Sequence, residues 1–312
     1  MYEAFFGLRE KPFALTPNTE FLVQLAPYQG CLNLLRLALA EGEGFIKVIG
    51  EVGTGKTLLC RAVLNLLDKR RFQAAYLPNP CLTPLALRQA LAHELHLQDT
   101  AELDEHSLLQ RINQRLIELA AAGKSTVLLI DEAQALPPRT LESLRLLTNL
   151  EGERSKLLQV VLFAQPELDS TLQQEAFRQL RQRITFSYSL RPLDLVDIRR
   201  YLQERLAVAG YRGEPLFSEA ALRRLARGSG GIPRLLNILA NKALMAAFGE
   251  GCRQIGAVHV QRAIADTEGA VRGGALRPGL RGLLLCLAAL LALLAGSWLA
   301  LRGWPNVAEW LP

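Results

Sequence analysis

Paired cysteines are missing from this 312-residue chain. Its five (Cys31, Cys60, Cys81, Cys252 and Cys286) are odd in number, widely spaced and never C-x-x-C, which excludes a disulfide framework and a thiolate zinc site and fits a reducing compartment. Histidine is scarce as well. His93-Glu-Leu-His96 falls one residue short of the H-E-x-x-H zinc motif, because position 97 is Leu. There is no internal repeat and no low-complexity tract, and half of the residues are hydrophobic, so a disordered, collagenous or coiled-coil chain is excluded. The N-terminus has no long apolar run. No long block of one charge sign occurs either: the net charge of +6 is spread along the chain, permitting contact with nucleic acid or anionic lipid but dictating neither. Lys69–Arg71 reads as a charged turn, and Arg223, Arg224 and Arg227 as the wet face of a helix.

The apolar excess, visible in a mean hydropathy of +0.13, is local. Residues 282–301 run roughly 20 positions without a charge, enough at about 1.5 Å per residue to cross about 30 Å of hydrocarbon. About ten leucines at roughly −0.5 kcal/mol each favour insertion. Arg272, Arg277 and Arg281 precede this run and only Arg302 follows it, so the positive-inside rule holds the large N-terminal part in the cytoplasm. Residues 302–312 then form a short periplasmic tail, and residues 269–281, rich in Gly, form a linker.

Upstream, strand and helix patterns alternate. Phe45–Ile49 is a short β-prone run, broken by glycines and followed by a helical pattern over residues 56–67. Further strands are expected over 74–77, 126–130, 157–163 and 184–189, and helices over 32–39, 85–95 and 108–119. That alternation implies an αβα parallel sheet. After Pro192 the strands stop, and three helical patterns opened by Asp194, Ser218 and Pro233 make a small lid. The expected division is a lead and first helix (1–44), an α/β core (45–191), a helical lid (192–268), the linker, the membrane helix and the tail.

Gly50-Glu-Val-Gly53-Thr54-Gly55-Lys56-Thr57 satisfies G-x-x-x-x-G-K-[ST] between a strand and a helix. Glycines there let backbone N–H groups from Gly53 to Leu58 converge on phosphate oxygens, aided by the helix N-terminus. Lys56 would reach the β- and γ-phosphates of ATP, and the Thr57 hydroxyl would bind Mg²⁺. Asp131 ends a buried strand, where a carboxylate is costly without a cation, so it would hold the metal. Glu132, next to it, would orient and deprotonate the attacking water. Gln165 ends a third strand, where an amide could bridge the γ-phosphate and that water. Arg178, Arg181 and Arg183 crowd the segment before the last strand; by themselves they read as a solvated helix face. Arg234 opens a helix, where the dipole does not favour a cation, and so calls for an anion.

Together these motifs and the helical lid resemble the AAA+ ATPases: a P-loop NTPase fold with a C-terminal lid. The resemblance implies that Arg234 is a sensor-2 arginine, that Gln165 stands at sensor 1, and that Arg183, with Arg178 as substitute, is an arginine finger reaching a neighbour's γ-phosphate. The opening FGLREKPFALTPN, then GEGFIKVIGEVGTGKTLLCR, DEAQALP, KLLQVVLFAQPEL and GGIPRLLNILANKALM, resembles the general secretion pathway protein A (ExeA) family over residues 1–268. Within it the likeness is to the branch serving pili of the mannose-sensitive haemagglutinin type. This implies an inner-membrane ATPase that drives type IV pilus or type II secretion-like assembly, with ATP and Mg²⁺ bound. Its partners would be further copies of itself, a hexamer being one such assembly, inner-membrane assembly proteins and the lipid bilayer, with nucleic acid not expected. Alternative readings are a DNA-associated switch of the transposition-ATPase type and an accessory ATPase of exopolysaccharide export or surface sorting. Family members continue into a peptidoglycan-binding domain beyond their span, and no residues here match it. Tyr28 stands where the family often has His.

Overall fold

The computed structural model describes residues 2–78, 80–100, 102–148 and 156–271. The expected linker, span and tail thus lie outside the described residues apart from 269–271. Among the described residues, no helix is long and apolar enough to cross a membrane.

In chain order the elements are α1 (Tyr2–Phe6), α2 (Ala26–Ala40), β1 (Phe45–Ile49), α3 (Lys56–Leu66), β2 (Phe72–Leu77), α4 (Pro84–Glu94), α5 (Glu105–Ala121), β3 (Ser125–Ile130), α6 (Pro138–Leu147), β4 (Leu158–Ala164), α7 (Glu167–Leu172), α8 (Arg178–Arg183), β5 (Phe186–Ser189), α9 (Leu195–Val208), α10 (Glu219–Ser229), α11 (Pro233–Gly249) and α12 (Ala257–Ala265). The five strands form one parallel sheet in the order β2-β3-β4-β1-β5. Every residue of β4 is buried, as are all of β3 after Ser125, because helices cover both faces of the central strands. The edge strand β5 alternates instead between half-buried and exposed positions. Two apolar clusters result, one on each side of the sheet. The first is continuous with the packing of α9–α12, and residues through Val271 make one compact unit.

This order positions the site. Since β4 lies between β3 and β1, the carboxyl ends of three adjacent strands carry Asp131, Gln165 and Gly50 side by side. Gly50 N–H donates to the Ala164 carbonyl at 3.1 Å, tying the glycine loop to the end of β4. Ligands of open α/β sheets bind at such a crevice beyond the strand ends.

Four helices have no counterpart among the sequence expectations: α1, α6, α7 and α12. The expected strand over 184–189 starts two residues later, at Phe186, and the helix expected over 32–39 begins at Ala26, with Pro27 in its first turn.

Candidate nucleotide-binding site

The loop after β1 turns on Gly53 and Gly55, at φ +82° and +95°. At Gly53 space matters too: a Cβ would stand 2.7 Å from Cβ of Arg234. Gly55 is the N-cap of α3 and offers no side-chain cap, whereas Thr83, Asp104, Asp194 and Ser218 cap α4, α5, α9 and α10. The first backbone bond of α3 runs from Leu59 N–H to the Gly55 carbonyl at 2.9 Å, so the amides of Lys56, Thr57 and Leu58 open the helix toward an anion. Thr54 steadies the turn through its hydroxyl, 2.8 Å from the Glu51 carbonyl. From α2, the buried Tyr28 hydroxyl donates to the Thr54 carbonyl at 3.1 Å. Tyr28 therefore touches the loop and lines the same cleft.

Lys56 is only 4% exposed. Its Nζ donates to the carbonyls of Gly50 (2.8 Å) and Glu51 (3.1 Å). Burial lowers its pKa from the ordinary lysine value, against the opposing pull of Glu132, Asp131, Glu51 and Glu167. Asp131 is 2% exposed, and burial raises its pKa even though the Thr57 side chain and the Glu132 N–H hydrogen-bond to it. That pairing of an oxygen-bearing side chain with a buried carboxylate fits a hard divalent cation, which would relieve the carboxylate's desolvation.

Glu132 has a left-handed backbone, φ +52° and ψ +38°, rare for a residue with a Cβ. Its Oε2 accepts from Gln134 Nε2 at 2.6 Å and from Gln165 Nε2 at 3.0 Å. Burial alone would raise its pKa, but these two amides and nearby Lys56 outweigh it and hold the carboxyl below the usual range. Gln165, expected between the γ-phosphate and the attacking water, is bonded here to Glu132 itself. Gln134 was not among the expected site residues, although the string DEAQ contains it; its importance comes from a fold-back that spacing does not reveal.

A cleft of about 350 Å³ opens over this loop, lined by Lys56, Thr57 and Glu132, by Leu15–Pro17 of the lead, and by Tyr201, Arg205, Pro233, Arg234 and Asn237 of the lid helices. Arg234 N–H donates to the Gly53 carbonyl at 3.1 Å, so α11 begins directly on the loop, and its exposed side chain lines the cleft. Sequence reasoning missed Arg205, which is 5% exposed. Its guanidinium donates to the carbonyls of Pro12 (2.6 Å) and Ala14 (3.2 Å) and to the Tyr201 hydroxyl (3.2 Å), and lies 4.8 Å from the Phe21 ring centroid. This binds the lead to α9 and makes it a wall of the cleft.

The other arginines lie elsewhere. Arg178 pairs with Glu175 at 3.5 Å, both exposed. Arg181 and Arg183 donate to the carbonyls of Leu172 (3.0 Å) and Thr148 (3.4 Å), and none of the three lines the cleft of its own chain. Lys69–Arg71 is an exposed turn, and Arg223 and Arg227 face solvent while Arg224 is bonded to Gln261. Glu250, Cys252 and His259 bring their ligand atoms within 4.8 Å of one another. His259 Nδ1 accepts the Gly256 N–H at 3.0 Å, so the ring proton belongs on Nε2, which faces Glu250 at 3.0 Å. Metal at Nε2 would move that proton to Nδ1, against another donor; His259 instead caps the N-terminus of α12.

A phosphate-binding loop, two acidic residues on the next strand but one and a helical lid over the same cleft define a P-loop NTPase of the AAA+ type, and residues 39–172 match the AAA domain family. Over 304 residues the chain is 42% identical to general secretion pathway protein A of Aeromonas hydrophila, covering 97% of this chain and 53% of that protein. The chain belongs to that family of AAA+ proteins. It spans about half the length of this curated relative. Among solved structures, the fold is similar to the ORC2 protein of Aeropyrum pernix (TM-score 0.61, 14% identity, 82% of this chain and 71% of that one). It is also similar to Cdc6p of Pyrobaculum aerophilum (0.60, 19%, 81% and 69%) and to the RuvB branch migration motor of Thermotoga maritima (0.52, 18%, 84% and 72%). Likeness at these identities concerns the fold.

Proposed function

We propose that this chain is a membrane-anchored ATPase that hydrolyses ATP to drive assembly of an envelope machine, a type IV pilus of the mannose-sensitive haemagglutinin type or a type II secretion-like apparatus. The observation that carries the enzymatic part is the convergence, in one cleft, of the uncapped α3 amides, Lys56, Thr57 and the amide-held Glu132, with the buried Asp131 hydrogen-bonded behind them to Thr57 and to the Glu132 N–H. The likeness to general secretion pathway protein A supports the envelope role.

In this reading the amides from Gly53 to Leu58 bind the phosphates, and Lys56 exchanges the carbonyls of Gly50 and Glu51 for β- and γ-phosphate oxygens. Thr57 and Asp131 would hold Mg²⁺, which when bound neutralises charge on the phosphates. Glu132 orients the attacking water and takes its proton, Gln165 holds Glu132 and faces the γ-phosphate, and Arg234 reports on that phosphate from the lid. Arg183 acts on a neighbouring copy, making the working form a homo-oligomer. Residues 282–301 anchor the chain in the inner membrane with the ATPase on the cytoplasmic side.

Lys56→Ala tests the base of this scheme. Removing a buried, charge-assisted phosphate contact should cost about 3 kcal/mol, or about 100-fold in ATP affinity measured by titration calorimetry. Unchanged affinity in a folded variant would remove the phosphate site from this loop.

A further inference from the structure

We propose that Gln134 is a positioning residue that fixes which oxygen of Glu132 faces the attacking water; this deepens the proposed reaction and rests on Glu132 being its base. The left-handed backbone at Glu132 sends the chain into a single 3-10 turn, Ala133–Ala135, so that the side chain two residues on comes back over the carboxylate. Gln134 then bridges two strand ends. Its Oε1 accepts the Gln165 backbone N–H at 3.0 Å, and its Nε2 donates to Glu132 Oε2 at 2.6 Å.

The orientation of that amide follows from chemistry. A backbone N–H can only donate, so the carbonyl oxygen of Gln134 must face Gln165, and the NH₂ group is left for the carboxylate. Gln165 Nε2 donates to the same Oε2 at 3.0 Å. Both amides thus hold one oxygen, and among the described residues no hydrogen bond occupies the other. Oε1 is the atom free to receive the proton from water. Without Gln134 the carboxylate keeps one donor and regains rotational freedom about a terminal torsion that is intrinsically broad. The end of β4 also loses the bond from the Gln165 N–H to the turn after β3 and keeps only the one from Gln165 Nε2 to Glu132.

The test compares Gln134→Leu, Gln134→Glu and Glu132→Gln in the full-length protein in detergent. Gln134→Leu removes both bonds; Gln134→Glu keeps an acceptor for the Gln165 N–H but replaces the donor to Glu132 by a carboxylate oxygen, so it preserves the turn if the leucine variant does not fold. Misplacing a reacting group while leaving the binding surface intact lowers kcat rather than affinity. Expected is a fall in kcat of about 10- to 100-fold for each Gln134 variant, with KM and the calorimetric affinity for a non-hydrolysable ATP analogue within about twofold. Glu132→Gln should bind ATP and stall. Wild-type turnover by Gln134→Glu alongside a stalled Glu132→Gln would overturn the proposal and leave the base standing. A raised KM with unchanged kcat would make Gln134 structural and overturn it as well. Normal turnover by Glu132→Gln would instead remove the base, and this inference with it.

Discussion

Gly231 shows how a single missing methyl group lets the turn before α11 close on the segment that leads from β5 into α9. It sits at φ +75°, its carbonyl accepts the Leu193 N–H at 2.9 Å, and a Cβ there would stand 2.3 Å from the Leu193 carbonyl oxygen. Backbone cannot yield as a flexible side chain can, so Gly231→Ala should cost about 2–4 kcal/mol, read as a lower denaturant midpoint. Gly249, in the last turn of α11, meets nothing within 4 Å, and Gly249→Ala should be neutral or stabilising by up to about 1 kcal/mol. Equal midpoints for both variants would contradict this packing. At this scale the sequence was informative about where Lys56, Thr57 and Asp131 stand, at the start of α3 and the end of β3, because those positions follow from patterns within a few residues. It was silent on Arg205, whose carbonyl partners lie 193 and 191 residues away.

Among elements, the central strands were legible because burial on both faces leaves an uninterrupted apolar run, as in TVLLI at β3. The helix α6 was not, since it starts at a Pro-Pro pair that reads as a break; the second proline occupies the first turn, where its missing N–H costs nothing. The helix α12 escaped because its N-cap is Gly256, without the Ser, Asp or Thr that signals a helix start, and His259 accepts the Gly256 N–H in the place usually taken by Glu or Gln. The short α8 bears on mechanism. Arg183 in its last turn lies outside its own chain's cleft, so a role in hydrolysis requires a neighbouring copy. Wild-type turnover per chain should then rise with protein concentration, and Arg183→Ala should lower it by about 10³-fold or more while leaving ATP affinity intact. Turnover by the variant equal to wild type at every concentration would discard the trans arginine.

For the whole molecule, the site residues all fall before Val271, in one compact unit, and the apolar run 282–301 follows it. The full chain should therefore remain with membranes after alkaline carbonate washing, and deletion of residues 282–312 should release a form that still binds ATP. A full chain that washes off, or a truncated one that stays bound, would refute the anchor. Sequence by itself determined the phosphate loop, the strand-borne acids and the alternation behind the parallel sheet, since each depends on spacing within one element and its flanking turn. Only tertiary structure decided which side chains meet Glu132, how the lead closes the cleft through Arg205, and where α11 rests on Gly53. These contacts join strand ends and helices far apart in the chain, and their geometry follows from the order β2-β3-β4-β1-β5, which no local pattern encodes.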